Sequence, residues 1–134
     1  MSVVLVDSNV LLDVIIEDPE WSEWSSIALD EAASRGRIAI NPIIFAEVSI
    51  RYSDIGEIDS ILSRHVIDRE PLPYEAAFLA GKIFAQYRGR GGKRNAPLSD
   101  FFIGAHATIA GYDLLTRNAR HYRRNFPNLK LIAP

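Results

Sequence analysis

The chain contains no cysteine and a single methionine. Without thiols it has neither a disulfide nor a thiolate metal site, which fits a reducing compartment and points to the cytoplasm. No apolar run approaches the roughly 20 residues that span a bilayer. The first such run, Val3 to Val6, is stopped by Asp7, so neither a signal peptide nor a membrane segment is expected. Repeats and low-complexity tracts are also missing. What is present is an ordinary globular balance: 134 residues, 48% hydrophobic and 24% charged. That is enough for one core, and residues 1–134 read as one domain.

The net charge is only −2, but it is unevenly placed. Residues 1–84 hold 15 acidic and 6 basic side chains, whereas residues 85–134 hold 2 and 9. A basic C-terminal third suits an anionic partner such as nucleic acid; the plainer reading is a solvated surface.

Short apolar strands alternate with helical patterns. Val3-Val4-Leu5-Val6 reads as a buried parallel strand, and Val10 to Ile16 as a helix that Ser8 or Asn9 can cap. Trp21 to Ser34 predicts a second helix closed by Gly36, and Ile38–Ile40 a second strand. Asn41-Pro42 then supplies a cap and a first-turn proline for a helix from Ile43 to about Tyr52. Ile55, Ile58 and Leu62 fall at helical spacing after Asp54. His65–Asp68 predicts a third strand, Tyr74–Tyr87 a long helix, and Arg88–Arg94 a flexible basic loop. Phe101–Ala110 is apolar all round, as a central buried helix would be. Leu114–Thr116 and Leu129–Ile132 complete the strands. This alternation predicts an α/β fold, a parallel sheet with helices on both faces.

Three acids stand out. Asp7 sits where the first strand hands over to a helix, the edge at which open α/β sheets bind ligands, although it could simply cap that helix. Glu47 shares a helical stripe with Ile43 and Ile50. A carboxylate on an apolar face is usually paired or metal-bound, and a buried ion pair with an arginine such as Arg51 is the competing explanation. Asp100 opens the apolar helix, where it or Ser99 could act as the cap. His106, on the same helix, lacks ligand spacing to Asp100 and reads as a core histidine. If the three acids converge, each close pair repels by roughly 4 kcal/mol at ~4 Å in an intermediate dielectric. A hard divalent cation with oxygen ligands, Mg²⁺ or Mn²⁺, cancels that repulsion. On this reading Asp7→Asn raises metal-free stability and abolishes metal binding.

Four segments in order carry a family resemblance: Val6-Asp7-Ser8-Asn9-Val10-Leu11-Leu12; Asn41-Pro42 with Ala46-Glu47; Leu98-Ser99-Asp100-Phe101-Phe102-Ile103-Gly104-Ala105-His106-Ala107; and Leu114-Leu115-Thr116-Arg117-Asn118 with the tail Tyr122 to Pro134. Over nearly its whole length the chain resembles PIN-domain proteins, and among them the VapC-type toxin ribonucleases of toxin–antitoxin pairs. The resemblance implies a three-layer fold with a central five-stranded parallel sheet flanked by helices. It implies Mg²⁺- or Mn²⁺-dependent hydrolysis of RNA by a metal-activated water, leaving 5′-phosphate and 3′-hydroxyl ends. It also implies a homodimer and a cognate antitoxin whose C-terminal segment lies over the acidic site.

Asp7, Glu47 and Asp100 match the family's first three acids. Asp7 and Asp100 are then direct metal ligands, and Glu47 a ligand directly or through water. The fourth position, usually Asp, matches Asn118, so the site offers a carbonyl oxygen there and loses one negative charge. Asp113 starts the strand that Thr116 ends and lies ~10 Å away at the opposite edge, so it is no substitute. Ser8, Asn9 and Thr116 are expected to support the ligands. Arg88, Arg90, Lys93, Arg94, Arg117 and Arg120, with Arg123 and Arg124, are expected to meet the RNA backbone. Trp21, Trp24, Ile55, Ile58 and Leu62 are either core or contacts for the antitoxin or a second protomer. Two other functions compete: an RNA-binding PIN module without turnover, suggested by Asn118, and phosphotransfer on Asp7. The latter lacks the second acid that phosphotransfer domains place two residues further on.

Overall fold

The structure, a computed structural model, describes residues 2–92 and 98–134. Its centre is strand β1 (Val3–Val6), flanked by β2 (Arg37–Ile40) on one side and β4 (Asp113–Leu115) on the other. β3 (Ile67–Arg69) pairs with β2 and β5 (Leu131–Ile132) with β4, so the order is β3-β2-β1-β4-β5. Every pairing is parallel, with Leu5 opposite Ala39 and Leu114. In β1 the consecutive residues Val4, Leu5 and Val6 are all buried. Successive side chains point to opposite faces, so the sheet is covered on both.

The connections are helical: α1 (Ser8–Ile15) and α2 (Ser22–Arg35) join β1 to β2, and α3 (Pro42–Ser49) and α4 (Ile55–Arg64) join β2 to β3. α5 (Tyr74–Gly89) and α6 (Leu98–Ala110) lead to β4, and α7 (Ala119–Asn125) leads to β5. The expected fold class is therefore the observed one. α6 is the buried helix: Phe101, Ile103, Gly104, Ala105, His106 and Ala107 are all enclosed. Gly104 lets α6 approach Phe126; a Cβ there would stand 2.4 Å from that ring. His106 is the core histidine anticipated. Asn41 caps α3 through its Oδ1, which accepts from the Ile44 N–H at 2.9 Å, and this orients its Nδ2 onto His106 Nδ1 at 3.0 Å.

Some boundaries move. Arg88 lies within the last turn of α5, and Arg90 is its C-cap, so the basic stretch begins on a helix and not in a loop. Lys93 and Arg94 lie outside the described residues. Ile58 and Leu62 are core, 3% and 4% exposed, whereas Ile55 faces solvent. The first two are thus unavailable as partner contacts, because one face of α4 packs inward.

Candidate active site

Chain order places the crevice. The chain leaves β1 for β2 and β3, then returns to β4 on the far side of β1. The carboxyl ends of β1 and β4 thus form the switch point at which α/β sheets bind ligands. Asp7 follows β1 directly, and its N–H extends the sheet to the Leu115 carbonyl at 2.9 Å. It is also the N-cap of α1, with Oδ1 accepting the Ser8 N–H at 2.8 Å. The cap reading therefore holds for this residue, and its place at the sheet's carboxyl edge keeps the site reading alongside it.

Asp7 is 2% exposed. Its Oδ2 accepts from the hydroxyls of Thr116 at 2.8 Å and Tyr122 at 3.1 Å, and from Asn9 Nδ2 at 3.4 Å. Burial pushes its carboxyl above the usual range against the pull of these donors, and Glu47 pushes the same way. Tyr122 answers in kind: burial and the nearby Asp7 and Asp100 charges hold its phenol well above its ordinary value, so it stays a donor.

Glu47 comes from the second turn of α3. The stripe expected to bury it is not the core face; Ile44 and Val48 are buried, while Ile50 lies beyond the end of α3 and is 85% exposed. Glu47 looks toward the crevice instead. Ser8 Oγ donates to its Oε1 at 2.8 Å and Ser99 Oγ to its Oε2 at 3.1 Å. No arginine or lysine among the described residues forms an ion pair with it.

Asp100, in the first turn of α6, completes the group. Its carboxyl is raised to about 7, by burial first and then by the charges of Asp7 and Glu47. Three acids from three different elements therefore share one electrostatic environment. The relief of repulsion expected from Asp7→Asn extends to Asp100, whose carboxyl is raised by the same group of charges.

The donor chemistry, carboxylate and amide oxygens with uncompensated negative charge, fits a hard divalent cation. Asp7 and Glu47 are turned onto neighbouring hydroxyls, and among the described residues no three His, Cys, Asp or Glu side chains are gathered tightly enough to hold an ion as they stand. Asn118 stands at the crevice mouth, exposed, with its N–H on Thr116 Oγ1 at 2.9 Å. Its side chain does not cap α7. Asp113 lies at the opposite edge, with Lys130 at 3.9 Å.

A family model described as the PIN domain matches residues 4–127. The chain belongs to the PIN-domain family. Solved structures of similar fold include a chain of VapBC2 from Rickettsia felis bound to a promoter DNA fragment, with a TM-score of 0.76, 20% identity and 98% of each chain covered. A chain of DNA-bound VapBC from Salmonella typhimurium has a TM-score of 0.72 at 20% identity, covering 99% of this chain and 98% of that one. A chain of FitAcB from Neisseria gonorrhoeae has a TM-score of 0.71 at 17% identity, with 96% of each covered. No curated protein matches the sequence significantly.

Around this PIN site the basic residues divide. Arg120, Arg123 and Arg124 are exposed on one face of α7, at spacings of three and four residues. Arg88 is exposed with its guanidinium 5.9 Å from the Phe84 ring centroid, and Arg90 reaches Asn125 Oδ1 at 3.3 Å. Arg117, expected to face RNA, gives its guanidinium to Asp13. Two contributors were not anticipated. Tyr122 is fully buried with its hydroxyl on Asp7; a buried tyrosine must place that hydroxyl on a partner, which was the available clue. Asp13 is an acid within an apolar helical run, the same signal that singled out Glu47.

Proposed function

We propose that this PIN domain, spanning residues 1–134, is a metal-dependent endoribonuclease and the toxin of a VapBC-type pair. The observation that carries this reading is the shared environment of Asp7, Glu47 and Asp100 at the sheet's carboxyl edge, unpaired by any described cation. Asp7 and Asp100 would hold Mg²⁺ or Mn²⁺, with the Asn118 carbonyl oxygen as a neutral fourth donor. When bound, such an ion polarises a phosphate oxygen and lowers the pKa of a water. Glu47, held by two serine hydroxyls, orients the attacking water. Tyr122 and Thr116 keep Asp7 fixed in one rotamer. The water's oxygen bonds to phosphorus, the P–O3′ bond breaks and O3′ takes a proton, giving 5′-phosphate and 3′-hydroxyl ends.

The exposed arginines of α7, with Arg88 and Arg90, would bind the RNA backbone; contacts to phosphate give affinity without sequence choice. Two of these arginines, Arg90 and Arg124, line a cavity of about 230 Å³ together with Tyr87. An antitoxin partner is supported by the toxin–antitoxin complexes of similar fold. A homodimer is supported by the apolar surface of Tyr74, Phe78 and Ile109, which are 90%, 69% and 45% exposed.

Asn118 favours one second reading, an RNA-binding PIN module without turnover. The deciding experiment treats total RNA with the purified protein in Mn²⁺, Mg²⁺ or EDTA, beside Asp100→Ala. Cuts that need both metal and Asp100, with 5′-phosphate ends, support the nuclease. RNA and metal binding without cuts supports the module, and 2′,3′-cyclic phosphate ends exclude the water mechanism.

A further inference from the structure

The polar contacts of the site continue beyond its carboxylates. Asp13, on α1, is 2% exposed. A lone carboxylate in such a place is strongly disfavoured. Arg117 meets it with two prongs, Nε to Oδ2 at 2.6 Å and Nη2 to Oδ1 at 2.9 Å. Ser25 of α2 donates its hydroxyl to the same Oδ2 at 2.6 Å. The guanidinium also lies 5.0 Å from the Trp21 ring centroid. The Arg117 head is thereby fastened to α1 and to the start of α2 by planar recognition that lysine cannot reproduce.

The backbone of Arg117 faces the site. Its N–H donates to Asn9 Oδ1 at 3.2 Å. That contact orients the Asn9 amide, so that Nδ2 points to Asp7 Oδ2 at 3.4 Å and Thr116 Oγ1 at 3.5 Å. Thr116 Oγ1 in turn donates to Asp7 and accepts the Asn118 N–H. Residues 116, 117 and 118 are thus each bonded into the crevice, and the only side chain among them anchored outside it is Arg117.

We propose that Arg117 is a positioning residue: its ion pair with Asp13 fixes the turn between β4 and α7, so that Thr116 and Asn118 stand in place beside Asp7. The consequence for metal affinity rests on the proposed function, whereas the consequence for the turn rests on geometry alone. A neutral amide oxygen attracts a cation less than a carboxylate does, so its contribution depends on being held where it is needed. Supporting residues of this kind alter metal affinity by 10- to 100-fold.

Two variants test this. Asp13→Asn/Arg117→Gln removes the ion pair without leaving a buried charge, and Arg117→Lys keeps the charge but not the fork. If the double variant does not fold, Arg117→Lys supplies the NMR and Mn²⁺ measurements. Folding is checked by thermal unfolding in EDTA. Amide NMR in EDTA then reads the Asn9 side chain and the Asn118 backbone, electron paramagnetic resonance reads Mn²⁺ affinity, and RNA binding in EDTA is followed against salt. Positioning predicts shifted or broadened Asn9 and Asn118 signals, Mn²⁺ affinity lower by about tenfold, and an unchanged salt slope. Unmoved signals in a folded variant overturn it. So does a salt slope in the double variant that flattens by about 0.7, the value of one lost phosphate contact. If the unaltered protein binds no Mn²⁺, the metal reading fails by itself and the NMR result alone decides the role of Arg117.

Discussion

Asp100 is a residue at which burial and the charges of two neighbouring acids act together. Its carboxyl titrates near 7 in the folded protein against an ordinary value of 3.8, through burial and the Asp7 and Glu47 charges. An acid with a raised folded pKa binds its proton more tightly in the native state. Its contribution to stability is full below the unfolded value and is lost as pH rises through about 7. At full strength such a shift would be worth ~4 kcal/mol, and partial exposure reduces it to about 1–2 kcal/mol. Asp100→Asn should therefore raise the metal-free Tm at pH 8, leave it nearly unchanged at pH 4, and abolish RNA cleavage. Thermal melts in EDTA across that range check the first two expectations. If Asp100 holds the metal as proposed, Mn²⁺ would have to displace its proton below pH 7 in the unaltered protein. Its affinity should rise about fivefold between pH 6 and 7 and about twofold more by pH 8 before levelling off, which calorimetry at several pH values would show. At this scale Glu47 stood out as an acid on an apolar stripe, whereas Asp7 and Asp100 each read alone as a cap and stood out only as members of the set. The pairing of Arg117 with Asp13 was not, because the two lie 104 positions apart and only the closed sheet brings them together.

Element ends are where local chemistry and observed structure part most. α4 ends with His65 as its C-cap, and the next residue, Val66, takes φ 54° and donates its N–H to the Ser63 carbonyl. This is the left-handed closing position that glycine usually fills. A β-branched residue there carries strain, roughly 1–2 kcal/mol, and with 77% exposure it gains little from packing. Val66→Gly should relieve that strain, less the greater chain entropy of glycine, for a net gain of about 0.5–1 kcal/mol. A urea midpoint that rises at constant slope would confirm it. The sequence placed β3 from His65 because His65-Val66-Ile67 looks like strand; the turn that closes α4 consumes the first two of these residues. Asn41-Pro42, by contrast, was readable to the residue, since a cap and a first-turn proline are set by local bonding. Glu47 shows a middle case: its helix was legible, but the face it occupies was not. Ile43 and Ile50 flank it in the pattern, while tertiary packing selects Ile44 and Val48.

For the whole molecule, five short strands alternating with helices were sufficient for a parallel sheet, because parallel neighbours need a crossover between them. The strand order was available neither from that pattern nor from the family resemblance; it is seen only in the pairings, with β1 between β2 and β4. The uneven charge acquires a place in this architecture. The acids of the first two-thirds are divided among the crevice, ion pairs and solvent, whereas α7 displays Arg120, Arg123 and Arg124 together on its outer face and turns Tyr122 inward to Asp7. One short helix therefore carries a candidate backbone-binding surface and a support of the acidic site on opposite sides. Replacing Arg120, Arg123 and Arg124 with Ala should weaken single-stranded RNA binding in EDTA and reduce the slope of log affinity against log salt by about 2, given ~0.7 for each phosphate contact. The metal-free Tm should hardly change, since all three side chains are exposed. A slope equal to that of the unaltered protein would remove α7 from the RNA path and leave Arg88, Arg90 and the basic residues after them as the remaining candidates.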